Sequence, residues 1–148
     1  MAHSLDTKAF LDTVCELLRQ GSTRVTVPVA GSSMVPFLHS GDTVYLDAVP
    51  EILCKGDVVL YMRPNGDYVL HRICKLGSDG SLSVAGDAQR QLEVLPDRSC
   101  VFAIAAAARH KDRLMTPKSF RWRFYRRVWL WLRPIRPLFL GLKRNKKK

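Results

Sequence analysis

GDVVLYMRPNGDYVLHRIC, residues 56–74, decides how the middle of the chain folds. Two runs rich in β-branched and aromatic residues, VVLYM and YVLHRI, flank Pro-Asn-Gly-Asp, and Asn-Gly readily takes the positive φ angles that tight hairpin turns need. The stretch therefore predicts a β-hairpin with His71 on its return strand. The same texture continues outward: RVTVPVAG, DTVYLDAV, SLSVAG and CVFAIAAAAR read as strands, with turn chemistry at HSGD and GSDG. Gly-Asp recurs at 41–42, 56–57, 66–67 and 86–87, which reads as turns; Asp42 and Asp57, each opening a strand after glycine, read as turn stabilisers.

The two ends have helical texture. LDTKAFLDTVCELLRQ, residues 5–20, puts Leu5, Phe10, Val14, Leu17 and Leu18 near one helical face, with Gly21 as a stop. From residue 118, KSFRWRFYRRVWLWLRPIRPLFLGLKRNKKK places Phe120, Phe124, Val128, Trp131, Ile135, Leu138 and Leu142 within an arc of roughly 80°. Trp122 and Trp129 fall off that arc, and Pro134 and Pro137 should kink or end the helix. The expected organisation is an N-terminal amphipathic helix over 1–23, a mainly β domain over 24–115, and a basic amphipathic tail over 116–148.

A chain of 148 residues suits one core, because two would each be too small to be comfortable. The net charge of +11 is unevenly spread: residues 109–148 hold fifteen Lys and Arg against one acid, Asp112, whereas residues 1–108 are slightly acidic. An anionic partner is thus expected for the tail alone. The run Val128–Leu142 is short of the roughly 20 apolar residues that a span requires and carries two arginines and two prolines. The favoured reading is a helix lying at an anionic membrane surface, with Trp122, Trp129, Trp131, Arg126, Arg127 and Arg133 as its contacts. The alternatives are packing of the apolar stripe on the domain or a partner, and, less favoured, nucleic-acid binding through KRNKKK, which would supply phosphate affinity without a base-reading module.

Four cysteines, Cys15, Cys54, Cys74 and Cys100, form no Cys-x-x-Cys pair and have no histidine at zinc-ligand spacing, so reduced, mostly buried thiols and no metal or other cofactor are expected. The N-terminal MAHSLDTKAFLDTV lacks a basic region followed by an apolar stretch, so a cytoplasmic setting is favoured.

GSSMVP, residues 31–36, carries the chemistry. A serine that attacks an amide needs a base, donors for the developing oxyanion, and a geometry that presents its hydroxyl. Gly31 allows close backbone approach and unusual φ, Pro36 stiffens the exit, and the Ser33 N–H is a candidate oxyanion donor with Ser32 beside it. Taken alone, those six residues read better as a turn joining two strands and nothing more.

The ordered series GSSMVPFLHSGDTVYLD at 31–47, KGDVVLYM at 55–62, YVLHRI at 68–73 and AGDA at 85–88 resembles the boxes of the signal peptidase I and LexA-like serine peptidases. The resemblance covers about residues 24–108 and implies the coiled β-sheet fold of that family. It implies Ser33 as nucleophile and His71, preceding Arg72, as base, with Gly31, Ser32, Met34 and Pro36 as the surrounding oxyanion and substrate-binding positions. Histidine in place of the more usual lysine resembles the endoplasmic-reticulum-type enzymes. A neutral imidazole, with reference pKa about 6.5, can accept a proton without the desolvation a lysine needs. Asp87 matches the family's Gly-Asp position and is the expected partner of His71, with Glu93 as a possible second acid.

One departure stands out: the hydroxyl often found two positions before the nucleophile is here Gly31, so backbone N–H groups are the expected oxyanion donors. His3, His39 and His110 read as solvated histidines. The implied activity is a serine endopeptidase that processes a leader or precursor peptide at small residues, at the inner face of the cell membrane, with a peptide transporter as an expected neighbour. A LexA-like self-cleaving regulator and a non-catalytic peptide- or membrane-binding adaptor are the alternatives.

Overall fold

The computed structural model describes residues 2–135, with side chains from residue 7 onward. The hairpin at its centre pairs β3 (Val58–Met62) with β4 (Tyr68–Leu76), and Val59 lies opposite His71. The connection is longer than a two-residue turn. Arg63 N–H and Asp67 C=O close it at 2.9 Å, and Gly66, at φ 89°, takes the left-handed position that Asn65 does not share.

Around this hairpin the chain builds an eight-stranded antiparallel sheet ordered β1-β2-β7-β3-β4-β5-β6, with β8 beside β7. The further strands are β1 (Val25–Pro28), β2 (Thr43–Asp47), β5 (Leu82–Ala85), β6 (Glu93–Leu95), β7 (Val101–His110) and β8 (Arg113–Met115). The sequence pattern predicts all but β6 and β8, whose three residues are too few to show alternation. Bulges between Tyr45 and Leu46, between Leu60 and Tyr61 and between Ile73 and Lys75 interrupt the register and bend the sheet. The protein is mainly β.

Strand β3 is buried on both faces, so its alternate residues enter different cores. Val58 and Leu60 join Phe37, Leu46 and Ala103 on one side; Val59 and Tyr61 join Ile73, Val84 and Val101 on the other. Helix α1 (Ala2–Arg19) covers part of the first core with Leu11, Val14, Cys15 and Leu18. That stripe is rotated from the expected one, because Phe10 and Leu17 are exposed. Tyr68 Oη donates to Asp12 Oδ1 at 2.6 Å and ties α1 to the hairpin. The side chains of His3 and Leu5 lie outside those described.

Helix α2 (Phe120–Trp131) lies with one face on the sheet domain, which is the packing alternative to a helix held only at a lipid surface. Trp122 and Trp129, 4% and 6% exposed, pack inward. Trp122 meets Phe37 edge to face at 5.2 Å, and Trp129 Nε1 donates to the Asp87 carbonyl at 3.2 Å. Arg126 pairs with Asp57 at 3.0 Å, and Arg133 donates to the Arg90 carbonyl. Four of the six expected lipid contacts thus hold the helix on the sheet domain, with the Trp129 indole N–H satisfied by a carbonyl and Trp122 packed on Phe37. Trp131 and Arg127 remain exposed. A short 3-10 turn over Arg133–Ile135 follows at Pro134, as the proline predicts. Leu138, Leu142 and the KRNKKK run lie outside the described residues. No helix among the described residues is long and apolar enough to cross a membrane.

All four cysteines are free. Cys15 is buried, with its thiol pKa pushed up chiefly by that burial; Cys74 and Cys100 are half-buried, and Cys54 is exposed, contrary to the expectation of mostly buried thiols.

Candidate active site

The loop between β1 and β2 carries Ser33, and a second loop holds it from behind. Ala88 N–H donates to the Ser33 carbonyl at 2.9 Å. A Cβ on Gly86 would stand 2.3 Å from that same oxygen, so only glycine lets the two loops meet. Gly31 has φ 80° and Ser32 is exposed, while Met34 is buried in the first core. The Pro36 carbonyl accepts from Arg121 Nη2 at 2.6 Å, so α2 pins the exit of the loop. Among the described residues the Ser33 N–H makes no hydrogen bond, which leaves it available to an oxyanion.

His71 reaches the site from β4 and is 1% exposed. It lies diagonally across the hairpin from Tyr61, whose direct partner is Val69, so both rings stand on one face. Tyr61 Oη lies 3.0 Å from His71 Nδ1. Behind it, Glu93 on β6 sits 3.7 Å from Nδ1 and is held by Arg63, whose Nε donates to Oε2 at 2.9 Å and whose Nη2 donates to Oε1. The hydrogen bonds from Arg63 hold the Glu93 carboxyl below the usual carboxylate range, so it is ionised at neutral pH. Burial above all, and then Glu93, push the Tyr61 phenol up. An ionised Glu93 beside a neutral phenol accepts a hydrogen bond from the phenol O–H, which keeps its proton, and the phenol oxygen then accepts from His71 Nδ1–H. That order satisfies all three groups and leaves Nε2 as the basic nitrogen.

Burial lowers the His71 pKa to about 4; the Glu93 charge opposes that shift, Arg63 reinforces it and Asp87 weakly opposes it. The ring is therefore neutral at physiological pH. Ser33 and His71 line one cavity of about 770 Å³, with Met34, Val29, Leu70 and Phe10 among its walls. No hydrogen bond joins Ser33 Oγ to His71 among the described residues.

The two expected acids have different partners. Asp87, 1% exposed, gives both oxygens to Arg72, accepting from Nε at 2.8 Å and from Nη2 at 2.7 Å. Arg72, fully buried, also donates to the Gly56 carbonyl at 2.9 Å and lies 4.7 Å over the Phe37 ring. The pair joins the Asp87 loop to β4 and to the core, whereas Glu93 stands next to the imidazole. Tyr61 and Arg63 went unrecognised in the sequence, although the hairpin register, once known, places Tyr61 beside His71.

Of the remaining expectations, His110 is no solvated histidine: its Nδ1 bonds Asp42 Oδ1 at 2.7 Å. Asp42 Oδ2 also accepts the His39 N–H at 2.9 Å, in keeping with a turn-stabilising role, and Asp57 likewise accepts the Cys54 N–H at 2.8 Å. His39, Asp42 and His110 offer donor atoms within 4.8 Å of one another, a geometry that could hold a metal ion. Compared with protein-family models, with curated proteins and with solved structures, the chain gives no match in any of the three.

Proposed function

We propose that this chain is a serine endopeptidase with Ser33 as nucleophile and His71 as general base. The observation that carries the reading is that Ser33 and a histidine whose Nδ1 is engaged by Tyr61 and Glu93 face the same cavity. The resemblance of the four sequence boxes supports it. Ser33 Oγ attacks the peptide carbonyl carbon as its proton passes to His71 Nε2, and the Ser33 N–H donates to the oxyanion. Collapse breaks the C–N bond, and the proton on Nε2 goes to the leaving amine. Water, activated by the same nitrogen, then hydrolyses the acyl-enzyme.

The first step needs Ser33 Oγ and Nε2 at hydrogen-bond distance, a contact that forms in the substrate complex. Glu93, close to Nδ1, stabilises the imidazolium that each transfer creates. Strand β1 ends the sheet order and leads into Gly31–Ser33, so its outer edge suits an extended peptide added as a further strand. By the resemblance, that peptide is a leader or precursor cut beside small residues on the cytoplasmic side, in connection with peptide export.

A peptide-library digestion read by mass spectrometry, with wild type, Ser33→Ala and His71→Ala compared, tests the reading. Cleavage at a defined motif that both substitutions abolish is expected. No cleavage by wild type, or equal cleavage by all three, would overturn it in favour of a peptide-binding module.

A further inference from the structure

Helix α2 is apolar on two sides, and only one of them is used. Trp122, Tyr125 and Trp129 face the sheet domain, but Phe120 and Trp131 are 84% and 80% exposed, with Val128 and Ile135 also exposed and Phe124 half-buried between them. These outer residues are the arc that the helical period singles out, and it lies opposite the buried tryptophans. Phe120 and Phe124 stack at 6.4 Å, so the arc is a continuous aromatic surface. Arg123 and Arg127 border it and are exposed. No acidic residue follows Asp112 anywhere in the sequence, whereas thirteen Lys and Arg do.

We propose that the outer face of α2 docks on an anionic lipid bilayer, with Phe120, Phe124, Val128 and Trp131 entering the headgroup boundary and Arg123 and Arg127 pairing with lipid phosphates. An apolar arc edged by arginine matches a surface that is apolar beneath and negative above. A protein partner would need acidic groups around an apolar groove, and a second copy of this chain would bring arginine against arginine. Nucleic acid would gain from the charges and nothing from the aliphatic part of the arc.

The docking surface is also mechanically joined to the candidate active site. On its inner side α2 holds the Ser33 loop, through Arg121 to the carbonyls of Pro36 and Phe37, and the Asp87 loop, through the Trp129 indole. One helix thickness, about 10 Å, separates lipid from both loops. Docking thus keeps the site at the bilayer surface, where a membrane-bound or membrane-emerging peptide would meet it. The inference itself does not depend on the peptidase reading.

Flotation of the full chain with vesicles of phosphatidylcholine alone, or with about a third phosphatidylglycerol, tests it. Binding to the anionic vesicles and much weaker binding to the neutral ones is expected. Phe120→Ser with Trp131→Ser should lower the partition coefficient by about tenfold or more, and each of Arg123→Gln and Arg127→Gln by about fivefold. Because these side chains are exposed, the thermal midpoint should not move. Trp131 is the one exposed indole of three, so its fluorescence should shift to the blue on anionic vesicles and lose that shift in Trp131→Ser. Binding that the aromatic variants leave unchanged, or no binding at all, would overturn the proposal. So would concentration-dependent dimerisation that the Phe120 and Trp131 substitutions abolish without any effect on lipid.

Discussion

Replacing Asp87 by asparagine should separate a role in folding from a role in catalysis. The side chain is nearly isosteric, so no cavity opens, but Asp87→Asn takes the charge from a pair whose members are 0% and 1% exposed. The guanidinium of Arg72 then stays buried without its counter-charge, with one amide oxygen, the Gly56 carbonyl and the Phe37 ring as its remaining partners. An amide N–H₂ in place of a carboxylate oxygen would also face a guanidinium N–H, donor against donor. Breaking a buried pair from one side costs about 3–5 kcal/mol. For a domain of this size each kcal/mol moves the midpoint by about 3–4 °C, so a fall of about 9–20 °C is expected. With a stability of roughly 5–15 kcal/mol to start from, the variant should still be folded in the cold. Circular dichroism melts measure the fall, and peptide cleavage well below the variant's own midpoint should retain most of the wild-type rate. Arg72→Met combined with Asp87→Val removes both charges together and should be more stable than either single variant. A variant Asp87→Asn that melts within about 2 °C of wild type and yet cleaves nothing would refute the reasoning, since the carboxylate would then be serving His71.

Three other predictions rest on the imidazole's surroundings. Glu93→Gln and Tyr61→Phe should each lower kcat by about 10–100-fold at pH 7, and Tyr61→Phe should leave KM nearly unchanged, because the phenol orients the base and does not touch the peptide; equal effects on KM and none on kcat would contradict this. With the His71 pKa near 4 and an ordinary value near 6.5, kcat/KM should hold through pH 5 and fall only as pH drops through about 4. Between those two values the unfolded chain binds more protons than the folded one, so the stabilisation is complete above pH 6.5 and about 3 kcal/mol is lost as pH falls toward 4. Denaturant titrations of wild type and His71→Gln check this; equal slopes of stability against pH in the two proteins would refute it.

The sequence determined by itself whatever depends on neighbours along the chain. VVLYM and YVLHRI are short β-branched and aromatic runs on either side of a turn that needs Gly66, and this specifies β3, β4 and the position of His71 without help from elsewhere. Gly31 could be singled out as a site of unusual φ, whereas Ser33 stood out only through the resemblance of the ordered boxes, and the close approach of Gly86 to the Ser33 carbonyl was hidden in what read as a turn. Pro134 likewise marked the end of α2.

Tertiary structure alone decided which groups meet across the sheet. Glu93 reaches His71 because β6, three residues long, pairs with β5 in a register that no local pattern announces. Asp87 turns to Arg72 because a buried guanidinium must be matched, and that demand arises only once both are inside. In α2 the period identifies an apolar arc and leaves Trp122 and Trp129 outside it, yet those two indoles are the buried ones. A helix with apolar groups all round carries no local signal of which side will be covered, and here the Asp87 carbonyl and the Phe37 ring select the tryptophan face.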